Sequence, residues 1–216
     1  MVEIVDAKFI TSAPNVALAP ESDKQDEVVF MARSNVGKSS LLNALTDHKG
    51  LAKVSSTPGK TRLINYFDVT FMDRDNDSAK LHAKFVDLPG FGYAKVSKSI
   101  KHDWEKNLTD YVAGREQIRL FIHLIDCRHP HLDIDTQVSE FLFDNVRENQ
   151  VILQIFTKID KLNQKEQNAL RKEFPLAMTV SSSKKRGTHK INRVIHDILK
   201  EVEDEIQEDL SDADNI

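Results

Sequence analysis

Cysteine is all but missing from this chain of 216 residues, Cys127 being the single one. No disulfide can close within the chain, and a reducing compartment is expected. Cys127 follows the apolar segment Leu120 to Asp126 and reads as a small buried hydrophobe. Long apolar runs are missing too. No segment approaches the roughly 18 uninterrupted apolar residues that a membrane span needs. The opening Met-Val-Glu-Ile-Val-Asp has neither a basic region nor a long apolar stretch, so no export signal is expected and the protein is expected in the cytoplasm, away from membranes. Glycine and proline are scarce, at 7 and 6 residues. Nothing resembles a long flexible linker, an internal repeat or, apart from the acidic end, a low-complexity tract, so a single domain over residues 1–200 is expected, its N-terminal extension 1–26 included.

A net basic charge is also absent from the whole, which stands at -4. That figure hides a division. Residues 201–216 hold eight acidic and no basic side chains, which leaves 30 basic against 26 acidic in residues 1–200. The body is mildly basic, and the tail is expected to continue and solvate the last helix.

What is present alternates. Short apolar runs at Val28 to Met31, Ile64 to Phe71, Leu81 to Val86, Leu120 to Ile125, Val151 to Phe156 and Leu176 to Val180 predict six buried strands. Helices are predicted near Ser39 to Leu45, Ile100 to Ala113, Asp135 to Asn149, Gln164 to Phe174 and Ile191 to about Glu208. This order implies an α/β domain, a mostly parallel six-stranded sheet covered on both faces. The connection between the second and third runs, Met72 to Lys80, is too short for a crossover helix, so those two should pair antiparallel. Lys49 to Thr61 is rich in turn residues and reads as a mobile loop.

The chemistry begins at Ala32-Arg33-Ser34-Asn35-Val36-Gly37-Lys38-Ser39-Ser40, directly after the first buried run. Strand, loop, Gly-Lys-Ser and helix in that order make a phosphate-binding loop. Gly37 lets the backbone approach an anion, successive N–H groups converge on a β-phosphate, and Lys38 adds charge toward the β/γ oxygens. Ser39 is then placed to ligate magnesium. The pattern usually begins with glycine, so the strand exit must tolerate the Ala32 Cβ.

A phosphate loop alone leaves ATPase, kinase and GTPase open. Three later segments, each ending a predicted strand, bear on the choice. Asp87-Leu88-Pro89-Gly90 offers a carboxylate that reaches magnesium through a water and a Gly90 N–H for a γ-phosphate. Thr157-Lys158-Ile-Asp160 offers a carboxylate able to accept from guanine N1–H and its exocyclic amine, a donor pair that adenine lacks. After Val180, Ser181-Ser182-Ser183 offers backbone N–H groups for the guanine carbonyl. Ligands bind at the carboxyl ends of strands in such sheets.

Taken together, these residues resemble the bacterial EngB (YihA/YsxC) GTPases of the TrmE-Era-like superfamily. The likeness covers almost the whole chain: Ala32 to Leu42, Pro58-Gly59-Lys60-Thr61-Arg62, Asp87-Leu-Pro-Gly-Phe-Gly-Tyr-Ala-Lys-Val96, Asp126-x-Arg128-His129-Pro130, Thr157-Lys-x-Asp160, and Ser181-Ser182 with Lys184-Lys185-x-Gly187. The resemblance implies a three-layer Ras-like P-loop GTPase domain that binds GTP and GDP with Mg2+ held by Ser39, Thr61 and, through water, Asp87. Gly59, Lys60 and Thr61 would line the nucleotide, with Thr61 as the switch threonine, although Thr57 in the same loop is open on chemistry alone. Lys38, Thr61 and Gly90 would serve hydrolysis.

Two departures and one substitution bear on rate and affinity. Ala32 replaces the leading glycine. Thr157 stands where most GTPases outside this family have asparagine, and a hydroxyl is not expected to duplicate the carboxamide's contacts to base and phosphate loop. Phe91 occupies the position after Asp-Leu-Pro-Gly, where a glutamine often orients the attacking water, so slow hydrolysis is expected until a partner completes the site. Asn35 is a candidate for holding K+ beside the phosphates, or a loop asparagine satisfied by backbone.

The resemblance further implies a role in assembly of the large ribosomal subunit, with rRNA and ribosomal proteins as partners, the protein itself being a monomer. Lys49, Lys53, Lys60, Arg62, Lys95, Lys98, Lys101, Lys184, Lys185, Arg186 and Lys190 surround the site and can meet RNA phosphates. The alternative is a GTP-regulated protein-binding module in division or septation without RNA contact. Arg128-His129-Pro130 reads as fixing a loop, and Trp104, in helical spacing with Ile100, Leu108 and Tyr111, as core.

Overall fold

The structure, a computed structural model, describes residues 1–21, 25–53, 63–76, 78–91, 106 and 108–213, with side chains up to residue 201. In chain order the elements are β1 (Val2–Ala13), β2 (Glu27–Ala32), α1 (Lys38–Leu45), β3 (Ile64–Asp73), β4 (Ala79–Asp87), a helix α2 at 108–114, β5 (Ile118–Asp126), α3 (Asp133–Asn145), β6 (Val151–Thr157), α4 (Gln164–Glu173), β7 (Met178–Thr179) and α5 (Thr188–Ala213). The strands form one sheet in the order β1-β3-β4-β2-β5-β6-β7. Only β3 runs against the rest, since it pairs antiparallel with both β1 and β4 while the other pairings are parallel.

The sheet has seven strands rather than the expected six. The extra one is Val2–Ala13, and its pairing with β3 shifts register between Ile4 and Asp6 and again between Phe9 and Thr11. Those irregularities break the period-2 alternation that reveals a half-buried strand, which is why 1–26 read as an extension. At the other edge, the segment Leu176 to Val180 yields only the two-residue β7. Leu176 is 93% exposed, and the Ala177 N–H closes a turn onto the Phe174 carbonyl.

β2 is buried along its whole length, as a central parallel strand must be, and alternation divides it between two cores. Val28, Phe30 and Ala32 join Leu41, Leu45, Phe85, Leu120, Ile195 and Leu199 under α1 and α5. Val29 and Met31 join Phe121, Tyr111, Val112, Val138 and Leu142 under α2 and α3. Each fully buried Leu, Val or Phe contributes about 1.5–3 kcal/mol, so both helical layers are held by their apolar faces. The start of β2 is pinned by charge: Glu27 accepts from Arg115 Nε and Nη2 at 2.9 and 2.6 Å and from the Tyr111 hydroxyl at 2.9 Å. This buried pair fixes α2 against the strand that feeds the phosphate loop.

Candidate functional site

The carboxyl termini of β2, β4, β6 and β7 lie at the same end of the sheet, and the phosphate loop leaves from the first of them. Ala32 is fully buried, its methyl absorbed by the core, so the strand exit does not need glycine. Gly37 takes φ 109 and heads α1 with no side-chain cap. The first N–H groups of that helix are therefore left for an anion.

Three ties run from the loop to the ends of β4 and β6. The Thr157 hydroxyl donates to the Val36 carbonyl at 2.8 Å. Lys158 Nζ donates to the Asn35 carbonyl at 2.6 Å. Lys38 Nζ donates to Asp87 Oδ1 and to the Leu88 carbonyl, the latter at 2.6 Å. The first of these corrects the sequence expectation: the threonine does make the phosphate-loop contact, because β6 brings its short side chain directly under Val36.

Asp87 ends β4 and is buried, and its Oδ2 accepts from Asn65 Nδ2 at 3.3 Å. Asn65 accepts in turn from the Ser12 hydroxyl at 2.7 Å, so the additional strand β1 supports the carboxylate from behind. Beyond Asp87, the chain lies on the phosphate loop. The Phe91 N–H donates to the Ala32 carbonyl at 3.1 Å and the Ser34 N–H to the Phe91 carbonyl at 3.3 Å. Between them Gly90 fits closely; a Cβ there would lie 3.0 Å from Ser34 Oγ and 3.2 Å from its backbone nitrogen.

Phe91 is 2% exposed. Its ring lies 6.1 Å from that of His123, so it packs into the α3-side core. The residues around it were not legible as a group. Arg33 Nε pairs with Asp135 Oδ2 at 3.2 Å, and His123 Nε2 stands 3.9 Å from Asp135 Oδ1. Burial pushes the Asp135 carboxyl up and the His123 ring down to about 4. No spacing rule joins positions 33, 123 and 135; the sheet does.

Beyond β6, Asp160 lies in the turn Ile159–Lys161, which is headed by a left-handed residue, Lys158 at φ 59. The Ser181 hydroxyl donates to Asp160 Oδ1 at 2.5 Å and holds its carboxyl below the usual range. The Val180 N–H is used by the Phe156 carbonyl and the Ser181 N–H by the Arg186 carbonyl. That leaves Ser182 and Ser183 as the backbone donors of the serine turn available to a ligand. Asp126, closing β5, accepts from Arg128 and Lys158, so Arg128 fixes its loop as expected. The Cys127 thiol is buried and pushed up to about 11, which suits a packing role.

The donor set fits magnesium: a hydroxyl at Ser39 in the first turn of α1 and a carboxylate at Asp87 are hard oxygen groups, and Mg2+ is commonly held by one or two such groups plus phosphates and waters. Among the described residues no three His, Cys, Asp or Glu side chains gather into a cage. No described helix is long and apolar enough to cross a membrane. Gly59, Lys60, Thr61, Thr57, Arg62, Lys95, Lys98, Lys101 and Trp104 lie outside the described residues.

Comparison with known proteins adds independent findings. The profile of the 50S ribosome-binding GTPase family matches residues 27–158. The chain is 54% identical over 184 residues to the probable GTP-binding protein EngB of Aliarcobacter butzleri, covering 85% of this chain and 92% of that one. It is 45% identical over 202 residues to the corresponding protein of Wolinella succinogenes, covering 93% and 99%. Among solved structures, it is similar to the crystal structure of a probable GTP-binding protein engB, with a TM-score of 0.60 at 20% identity over 81% of this chain and 99% of that one.

Proposed function

The chain belongs to the EngB family of GTP-binding GTPases, and from that premise we propose that it is a GTP-hydrolysing switch that assists assembly of the large ribosomal subunit. The observation that carries the nucleotide half is the triple tie of the phosphate loop to the strand ends that would read the rest of the ligand: Val36 to Thr157, Asn35 to Lys158, and Lys38 to Asp87.

In this reading the pyrophosphate lies on the uncapped start of α1, and Lys38 exchanges Asp87 and Leu88 for phosphate oxygens. Ser39 and Thr61, with Asp87 through water once it is released from Lys38, would hold Mg2+, which would supply positive charge against the negative charge developing on the phosphates. Gly90 offers its N–H to the γ-phosphate, a contact that hydrolysis removes. Asp160, fixed by Ser181, accepts from guanine N1–H and the exocyclic amine, and Ser182 donates to its carbonyl. Because Phe91 is packed against His123, it cannot order a water, and intrinsic turnover is slow. Asn35 would hold potassium, which would supply the missing charge; equal turnover in potassium and sodium would remove that element.

The ribosomal half is supported by the family match and by the exposed basic residues Lys49, Lys53, Lys184, Lys185 and Lys190. The protein acts as a cytoplasmic monomer. Cosedimentation with 50S particles in GTP and in GDP tests this: pelleting is expected with GTP and should fall steeply as salt rises, since phosphate contacts release counterions. Absence of any nucleotide-dependent shift would favour a protein-docking switch in division instead.

A further inference from the structure

The nucleotide contacts just described do not account for Asp126. It is the last residue of β5, 2% exposed, and lies in register with Thr157 on β6. All four acceptor directions of its carboxylate are used. Oδ1 takes the Arg128 backbone N–H at 3.1 Å and Arg128 Nε at 2.9 Å. Oδ2 takes Arg128 Nη2 at 2.6 Å and Lys158 Nζ at 2.9 Å. Burial opposes the charge, yet the Arg128 and Lys158 hydrogen bonds overcome it and hold the carboxyl well below the usual range.

Lys158 is the link to the nucleotide. Its left-handed backbone, at φ 59, is disfavoured for a residue with a Cβ, and such a conformation persists only where surrounding contacts over-determine it. Its ammonium donates both to Asp126 and to the Asn35 carbonyl. Asn35 is itself left-handed, at φ 67. Two strained backbones, one in the base-reading turn and one in the phosphate loop, are thus joined through one ammonium. Its side chain is 29% exposed, so without a carboxylate behind it the long stem is free to swing into water. At the far end, the Arg128 side chain is 44% exposed, within reach of solvent while engaged with Asp126.

We propose that Asp126 is a positioning residue for nucleotide retention: it holds Lys158 against the phosphate loop, and Arg128 is the surface group that holds Asp126. The proposal deepens the nucleotide reading above and rests on it. It makes the rate of nucleotide release sensitive to an exposed guanidinium that touches no part of the ligand.

The test is release of fluorescently labelled GDP, chased by unlabelled GDP, from the full chain. Loss of a charge-assisted hydrogen bond is worth about a tenfold change, so Asp126→Asn is expected to release about ten times faster than wild type. Arg128→Ala, which leaves Lys158 still paired, should release about threefold faster, and Arg128→Lys should recover part of that loss. In a Lys158→Met background, Asp126→Asn should add nothing, whereas a merely structural Asp126 would add its full effect; that additivity would overturn the proposal. Because Arg128 is largely at the surface, Arg128→Ala keeps the test open if Asp126→Asn fails to fold. Wild type that retains GDP, with both single variants releasing at its rate, overturns the proposal alone. Wild type that fails to retain GDP overturns the nucleotide reading with it.

Discussion

The Thr157 hydroxyl and the Val36 carbonyl, 121 residues apart in sequence, meet at 2.8 Å beneath the phosphate loop. Val36 and Thr157 are both buried, so water does not replace this bond when it is lost. Thr157→Val keeps the shape and removes the donor, leaving a buried carbonyl short of its partner at a cost of about 1–3 kcal/mol. GDP affinity is expected to fall about tenfold by calorimetric titration, with the preference for guanine over adenine unchanged. A variant that binds as tightly as wild type would show that the loop holds its shape without β6.

Asp160 should set the identity of the base. Its carboxylate only accepts hydrogen bonds, which suits the two donors of guanine. Xanthine carries a carbonyl in place of the exocyclic amine, so Asp160→Asn, with one acceptor and one donor group, is expected to exchange preference from guanosine to xanthosine diphosphate. The Ser181 hydroxyl can still donate to the amide oxygen that replaces Oδ1. The change in preference should reach roughly 100-fold, since unpaired polar groups on both sides are penalised. Competition titrations of the two diphosphates read it directly, and an unchanged order of affinity would place the base elsewhere.

That Lys38 would stand near Asp87, and Asp160 near Ser181, was legible in the sequence, because each belongs to a short segment whose chemistry is local, a turn at the end of an apolar run. Val2–Ala13 was missed because its register shifts by one residue at two places, which scrambles the face pattern on which strand prediction depends. Arg33, His123 and Asp135 were not seen as a cluster, because their contacts are made by sheet order and by the packing of α3 rather than by neighbours along the chain. The phosphate-loop part of the expectation for Thr157 missed for a related reason: side-chain reach was judged without knowing how closely β6 passes under Val36.

Among the described glycines, Gly187 is the one where an added methyl would meet the closest backbone contact. Its φ is 90, and an added Cβ would lie 2.6 Å from the Thr179 carbonyl oxygen, backbone that cannot step aside. The residue sits just before α5 and beside the paired backbones of Ser181 and Arg186. Gly187→Ala is expected to cost about 2–4 kcal/mol through combined strain and steric overlap, seen as a lowered urea midpoint. Loss of GDP binding should accompany it, because Ser182 is carried by the same short turn. A midpoint equal to wild type would mean that the turn is free to rearrange.

His123 should make stability depend on pH. The ring is 1% exposed, and burial pushes it down to about 4 from 6.5. It faces the Ser139 hydroxyl at 3.2 Å, the Phe91 ring and the Asp135 carboxyl, whose other oxygen is held by Arg33. As pH falls through 6.5 the unfolded chain takes up this proton while the native protein does not, so the unfolded state holds more protons until pH nears 4. The stability conferred by the neutral ring is therefore fully present above pH 6.5 and is lost on acidification, by roughly 3 kcal/mol across that window. Asp135, raised by burial, works in the opposite direction and remains in a His123→Gln variant. Denaturation midpoints measured from pH 7 to 4.5 without nucleotide should fall more steeply in wild type than in His123→Gln, whatever the starting stability of the variant. Parallel slopes would mean that other carboxylates and histidines carry the acid sensitivity, and that His123 takes up its proton without disturbing the contact with Phe91.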